Sequence, residues 1–282
     1  MADLAREQGR VTRRESKGCT VLITGAAGGL GAALCERYAA AGARIAAMDL
    51  DASRLDLLAA SLRAKGTEAL VLPGDITDPA TCKSAVATTL AHFGALDGLI
   101  NNAGISHRSL LADTDPDVIR RVMEVNFFGA VHLTAAALDH IVARRGFIVA
   151  ISSVAGFSPL IGRTGYAASK HALHGFFDSL RSEVVGAGVG VTLVCPSFIR
   201  TGIGAAATDG SGAPVSSSRV TTGVESTPEE IAERVFVAVA AGRKLLLPDA
   251  TARKAWWLSR LAPGLYARIM KRRMGGEFQG LL

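Results

Sequence analysis

The sequence predicts an α/β fold: a single doubly wound domain with about seven parallel strands flanked by helices. Three observations carry this expectation. Short apolar runs at 20–24, 44–48, 69–72, 96–100, 147–151, 189–194 and 244–247 alternate with helical stretches at 31–41, 53–65, 78–93, 116–144, 166–186 and 228–241. Strands covered by helices on both faces read as continuous apolar runs, and their alternation with helices marks parallel βαβ units. The composition agrees, because 49% hydrophobic against 20% charged residues supplies a sizeable core and excludes global disorder. Thirty-one glycines with 5% aromatics suit close helix–sheet packing better than an aromatic-rich β-sandwich. Within 282 residues there is no internal repeat and no interdomain linker, so the core segment 18–250 reads as one domain.

Ahead of the first run, residues 1–17 are polar and carry Arg6, Arg10, Arg13, Arg14 and Lys17. They lack the apolar middle of a signal peptide and read as a frayed leader. No stretch approaches 18 consecutive apolar residues, so no membrane-spanning helix is expected. Cys19, Cys35, Cys82 and Cys195 are far apart and show no paired metal spacing. That pattern predicts neither a disulfide scaffold nor a metal site, and it fits a reducing, cytoplasmic compartment.

The first run opens into Thr24-Gly25-Ala26-Ala27-Gly28-Gly29-Leu30-Gly31 and then a helix. A strand, a glycine-rich turn and a helix N-terminus make a pyrophosphate site, because backbone N–H groups and the positive helix end face the anion. A tight turn packed with small residues fits the glycine cluster equally well. The second run ends at Asp49. A carboxylate there can accept both ribose hydroxyls of an adenosine and would repel a 2′-phosphate, and the glycine loop holds no Lys or Arg to attract one. NAD(H) is therefore expected over NADP(H); otherwise Asp49 is an exposed strand-end acid.

Farther along, residues 202–226 are rich in Gly, Ser, Ala and Thr and too long for an ordinary connection, so they read as a lid or a disordered loop. Thr227-Pro228-Glu229-Glu230 then has the form of a helix start. The extension 251–282 carries seven basic residues against Glu277, which accounts for the whole net charge of +6. A nucleic-acid enzyme would more often spread its basic residues over the folded face, so no nucleic-acid partner is expected. Both tryptophans, Trp256 and Trp257, stand in this extension beside cations. Such a mixture either packs over the site or a partner subunit, or makes weak peripheral contact with a membrane interface. Pro263-Gly264 interrupts it, against a single long helix.

The spacing Thr-Gly-x-x-x-Gly-x-Gly resembles the short-chain dehydrogenase/reductase (SDR) family, in its short-subunit NAD-type branch, and other segments agree. Asn101-Asn102-Ala103-Gly104 follows the fourth run, Asp75 stands in Gly74-Asp75-Ile76-Thr77, and Asn126 in Glu124-Val125-Asn126-Phe127. Ser152-Ser153 ends the fifth run, and Tyr166-Ala167-Ala168-Ser169-Lys170 has the form Tyr-x-x-x-Lys. The resemblance covers about residues 18–250 and implies a Rossmann-type fold.

It also implies the site. Gly25, Gly28, Gly29, Leu30 and Gly31 would hold the dinucleotide together with Asp49, Asp75 (capping the adenine), Ile76, Asn102, Ala103 and Gly104. Pro196, Ile199 and Thr201 would lie at the nicotinamide end, and Lys170 would hold the ribose hydroxyls. Tyr166 and Lys170 are four apart and share a helix face. A free Tyr has a pKa of about 10, and the Lys170 ammonium together with the positive nicotinamide ring favours its phenolate. Tyr166 then serves as general base in alcohol oxidation or general acid in ketone reduction. Ser153 would bond the substrate oxygen; Ser152 is its rival, since strand neighbours point to opposite faces. Asn126 would hold a water linking Lys170 to solvent, which is compatible with a helix-bend Asn bonded to backbone. His171 and His174 supply no hydrolytic triad and read as helix-surface or interface residues.

After the sixth run the family's Pro-Gly is replaced by Pro196-Ser197, so Ser197 is expected in a backbone setting normally given to glycine. Val154, Ala155, Phe157, Leu160, Ile161 and Phe198 are the expected pocket wall, with Arg163 and Arg200 the cations to watch. A hydrophobic secondary alcohol or ketone, steroid-like, terpenoid or long-chain, is the expected substrate. Family members form homo-oligomers, so a homodimer or homotetramer through the 116–144 and 166–186 helices is implied. Two alternatives remain: an NADP-dependent 3-oxoacyl-thioester reductase, opposed by Asp49 and the long tail, and a non-catalytic nucleotide-sensing protein on the same fold. Fold alone does not exclude the sensor.

Overall fold

The computed structural model describes residues 17–201, 207–215 and 225–274. Residues 1–16 of the leader, 202–206 and 216–224 of the expected lid, and 275–282 of the extension lie outside the described residues.

Seven strands form one sheet: β1 Thr20–Thr24, β2 Arg44–Asp49, β3 Ala69–Pro73, β4 Gly98–Asn101, β5 Phe147–Ile151, β6 Gly190–Val194 and β7 Leu245–Leu246. Their order is β3-β2-β1-β4-β5-β6-β7, and every neighbouring pair is parallel. The chain reverses its direction of winding between β1 and β4, which leaves a crevice at the C-terminal strand ends.

The helices are α1 Gly29–Ala40, α2 Ala52–Ala64, α3 Pro79–Phe93, α4 Pro116–Met123, α5 Gly129–Ala143, α6 Thr164–Val184, α7 Pro228–Ala240, α8 Ala250–Leu261 and α9 Pro263–Met274. On one face α1, α2 and α7 bury their apolar sides against the sheet, with Tyr38 stacked 5.8 Å from Phe147 and edge-on to Phe236. On the other, Val86 of α3, Leu133 and Ile141 of α5, and Phe177 of α6 pack against Leu99 and Ile148. The start of α7 is a reciprocal cap: Glu230 N–H donates to Thr227 Oγ1 and Thr227 N–H to Glu230 Oε2, each at 3.2 Å.

Three elements carry features beyond the expected plan. β4 begins at Gly98 rather than residue 96, because the Asp97 carboxylate turns aside to accept from Thr20 N–H and Arg144 Nε, both at 2.8 Å. Gly98 itself lies under Phe147, where a Cβ would come within 2.3 Å of the ring. The single helix expected over 116–144 is continuous from Pro116 to Ala143, but α4 and α5 meet in a π-helical turn within it, Glu124–Phe128. This run is also long and apolar enough to cross a membrane, with a window of mean hydropathy 1.3, which a count of consecutive apolar residues misses. Here it is built into the domain, with Leu133, Ala137 and Ile141 fully buried. Finally, the extension folds as two helices, α8 and α9, that bury Ala252, Ala255, Tyr266 and Met270 in a small cluster with Val154.

Candidate active site

The crevice holds a cavity of about 1500 Å³ that runs from the glycine loop, past the end of β2, to α6 and the α8–α9 hairpin. Its floor is stitched together by Thr24. The Thr24 hydroxyl accepts from Asn102 and Ala103 N–H, both at 3.0 Å, and Asn102 Nδ2 donates back to Thr24 O at 2.9 Å. The strand ends of β1 and β4 thus hold the loop at a fixed height. Gly25 has φ +62°, and a Cβ there would come within 2.9 Å of Ala103 Cα. At Gly31 a Cβ would lie 1.9 Å from Gly25 O, so only glycine lets α1 begin this close to the strand. Gly28 caps α1 without a side chain, which leaves the helix N-terminus open to the cavity.

Asp49 ends β2 beside this loop: Oδ2 accepts from Ala27 N–H at 3.0 Å and Oδ1 from Asp51 N–H at 3.2 Å. Arg54, which lines the same end of the cavity, is ion-paired with Asp51 at 3.4 Å. Asp75 accepts from the Thr77 N–H and hydroxyl at 2.8 Å and lies 3.6 Å from Arg121. Burial disfavours its ionisation, but the Thr77 hydrogen bonds and Arg121 outweigh it and hold the carboxyl below its ordinary range.

At the other end stand the four residues expected to carry chemistry. Lys170 is buried, and its Nζ donates to Ile151 O at 2.9 Å. Burial brings its ammonium down to about 8, with Cys195 a weak opposing influence. Tyr166 lies one helical turn earlier, its ring centroid 5.7 Å from Lys170 Nζ. Ser152 donates to Lys170 O at 3.2 Å and is committed to α6. Ser153 accepts from Ala155 N–H at 3.2 Å and keeps its O–H to give.

Asn126 sits in the π-helical turn behind the cavity wall. Its Oδ1 accepts from Ile105 N–H at 2.8 Å, and its Nδ2 donates to Ile105 O and Ser169 Oγ, each at 2.9 Å. The side chain therefore makes the backbone bonds of a helix-bend Asn, with one Oδ1 lone pair left over. Gly104 separates it from Lys170: a Cβ on Gly104 would lie 3.1 Å from Asn126 Oδ1 and 3.5 Å from Lys170 Nζ.

Gly25, Gly28, Gly29, Leu30, Gly31, Asp49, Asp75, Ile76, Asn102, Ala103, Gly104, Ser153, Tyr166, Lys170, Pro196, Ile199 and Thr201 all line this one cavity, and Asn126 supports it from behind. A family model described as short chain dehydrogenase matches residues 19–211. The chain belongs to the short-chain dehydrogenase family. Among its relatives is mouse dehydrogenase/reductase SDR family member 7B, 39% identical over 267 residues that cover 93% of this chain and 83% of the mouse protein. The mosquito (Anopheles gambiae) dehydrogenase/reductase SDR family protein 7-like is also 39% identical, with 92% and 84% covered. A crystal structure of a short chain dehydrogenase/reductase SDR from Burkholderia phymatum in complex with NAD superposes with a TM-score of 0.80 at 25% identity, covering 89% of this chain and 96% of that one.

At the end of the cavity beyond Tyr166 several expectations are corrected. Val154, Leu160 and Phe198 line the cavity; Ala155, Phe157 and Ile161 do not. Phe157 turns instead to Trp256, 4.8 Å away and edge-on, and to His174. Its place in the wall is taken by Ala255 and Leu258 of α8 and by Tyr266, Ile269 and Met270 of α9. Those residues recur at helical spacing, which is visible in the sequence, but nothing there says what they pack against.

The wall is also less uniformly apolar than expected, because Arg108, Arg163, Lys254 and Arg273 reach it. Arg200 does not; its N–H is bonded to Ser226 O at 3.0 Å. Ser197 does not take a glycine-like backbone: among the described residues Arg145 is the one non-glycine with positive φ. Ser197 is held by Asp249, the residue that caps α8. His174 is drawn inward rather than lying on the surface, with Nε2 3.3 Å from Cys195 Sγ, and burial brings its imidazole down to about 4.

Proposed function

We propose that this dehydrogenase uses NAD(H) to interconvert a hydrophobic secondary alcohol and its ketone, with Tyr166 moving the proton. The observation that carries the reading is that Ser153, Tyr166 and Lys170 open onto the same cavity that begins at the glycine loop and Asp49. The lining fits a dinucleotide by its chemistry. An open helix N-terminus beside Gly28 suits a pyrophosphate, the Asp49 carboxylate suits ribose hydroxyls, and the buried Lys170 ammonium is a donor at the far end. Arg54 stands near Asp49, but its charge is offset by Asp51, which favours NAD(H) over its 2′-phosphorylated form.

A bound nicotinamide would supply the hydride acceptor or donor. The protein's own residues do the rest. Ser153 gives its hydroxyl hydrogen to the substrate oxygen and positions it. Tyr166 takes the proton from that oxygen in oxidation and returns it in reduction. The Lys170 ammonium, one turn away, favours the phenolate. Asn126 keeps Ile105 and Ser169 in place, and with them the wall beside Gly104. Val154, Leu160, Leu258 and Met270 would exclude water and receive an apolar substrate body. The same reading includes a homodimer or homotetramer built on the 116–144 and 166–186 segments, that is α4, α5 and α6.

Titration of the purified protein with NADH and NADPH by fluorescence, followed by turnover on a panel of apolar ketones and secondary alcohols, tests this. Tight NADH binding with turnover supports it. Binding without turnover across the panel favours the nucleotide-sensing alternative, and preference for NADPH removes the argument from Asp49.

A further inference from the structure

The α8–α9 hairpin has two unlike faces. Its inner face is committed: Ala252, Ala255, Tyr266 and Met270 are buried, and Leu258 and Ile269 close the cavity. Trp256 belongs to this side, edge-on to Phe157, with the Arg260 guanidinium 3.2 Å from its ring centroid. The outer face is different. Trp257 is 62% exposed, Leu261 77% and Leu265 49%, three large apolar side chains within nine residues. Arg253, Arg268, Lys271 and Arg272 are exposed on the same hairpin without lining the cavity, and no acidic residue occurs between 250 and 274. Exposed tryptophan and leucine among uncompensated cations do not serve a surface meant only for water.

We propose that the outer face of the α8–α9 hairpin docks on an anionic phospholipid bilayer, with Trp257, Leu261 and Leu265 in the interface and the flanking lysines and arginines on the headgroups. The charge decides the occupant. A second copy of the chain would bring this patch against itself across a two-fold axis, setting four cations against four. A nucleic acid would neutralise the cations but leave the three apolar side chains in water. An anionic membrane answers both features at once, since apolar residues enter the acyl boundary while cations meet acidic lipid. Long basic side chains can bend toward the headgroups while their stems cover apolar surface. Because the hairpin's inner face walls the cavity, docking would bring the substrate side of the cavity close to the lipid surface. The proposal does not depend on the cofactor or the reaction.

The test is flotation of the full chain with vesicles of phosphatidylcholine alone and of phosphatidylcholine with an equal part of phosphatidylglycerol, with tryptophan emission recorded in parallel. Trp256 and Trp257 are the only tryptophans, so the emission reports on this hairpin. We expect flotation and a blue shift with the anionic vesicles, both lost as salt is raised, and little of either with phosphatidylcholine. The triple variant Trp257→Ser, Leu261→Ser, Leu265→Ser should partition at least tenfold more weakly while melting at the wild-type temperature. The variant Arg268→Gln, Lys271→Gln, Arg272→Gln should bind more weakly and with a flatter salt dependence. Failure to float at low salt, or flotation that neither set of substitutions alters, overturns the proposal. So does a concentration-dependent dimer that the triple serine variant abolishes, which would make a second copy the occupant.

Discussion

Asp249 holds Ser197 at two atoms: Oδ2 accepts from the Ser197 N–H at 3.0 Å and Oδ1 from its hydroxyl at 2.7 Å. The same carboxylate accepts from Ala252 N–H at 2.7 Å and so caps α8. One side chain thus ties the loop after β6, which lines the cavity, to the hairpin that closes it. Asp249→Ala removes the cap and both bonds to Ser197. We expect a loss of about 2 kcal/mol, read as a lower melting temperature, with faster amide exchange in α8 and α9. KM for an apolar substrate should rise more than kcat falls. Unchanged exchange protection in α8 would show that the hairpin is held by its apolar cluster alone.

Tyr166→Phe removes a hydroxyl and nothing else that the cavity uses. Loss of general acid–base help should lower kcat by about 10²–10⁴, with NADH affinity within about twofold of wild type. Stopped-flow binding and steady-state turnover separate the two, and substantial remaining activity would remove Tyr166 from the reaction.

Asp49 serves both the loop, through Ala27 N–H, and the proposed ribose contact. Asp49→Ala should weaken NADH about tenfold, a loss of about 1.4 kcal/mol, and should weaken NADPH less or not at all. Equal losses for both would mean that Asp49 acts on the loop only.

Asn126 is 1% exposed, and its amide satisfies both backbone groups of Ile105. Asn126→Ala leaves those half-buried groups without that partner, at a cost of about 1 kcal/mol. Denaturant unfolding should show the loss as a lower midpoint with the slope unchanged, and activity should fall with it.

His174 provides the pH test. Its imidazole is held down to about 4, chiefly by burial; Asp178 opposes this, and His171, Arg260 and Arg181 add to it. An unfolded chain binds a proton at a histidine near 6.5. Between about 6.5 and 4 the unfolded chain therefore takes up a proton that the folded one refuses, and stability falls as the pH falls. The full effect is up to about 3 kcal/mol. In His174→Gln this share of the acid loss should vanish, so the gap between wild type and variant should change steadily across that window. A constant gap would place His174 in water.

The sheet was legible because its central strands are buried on both faces: β1 and β5 have the boundaries their apolar runs indicate. The glycine loop, Asp49 and the Tyr166–Lys170 pair were legible because their chemistry depends on local spacing. What the sequence hid depends on distant partners. Phe157 is as apolar as Leu160, and only the position of Trp256 decides that it turns away from the cavity. Ser197 sits on backbone that any residue adopts and is bonded by Asp249, 52 residues away, a pairing that no local spacing shows. Arg108, Lys254 and Arg273 come from three separate elements, and no spacing rule brings them to one wall. The π-helical turn adds one residue to the winding, a shift too small for the spacing of so apolar a run to reveal.

That turn, Glu124–Phe128, also has a bearing on how this chain can change. A π-helical turn takes up one more residue than an α-turn while its flanks keep their facing, so deleting one residue inside it lets regular winding resume with α5 still turned to the sheet. Leu133, Ala137 and Ile141 would keep their places, and the loss would fall on Asn126 and its hold on Ile105. A deletion within α5, by contrast, turns every later residue by about 100° and takes the core face off the sheet. A deletion scan through 116–143 should therefore find folding most tolerant at the turn, with the support for the site lost there.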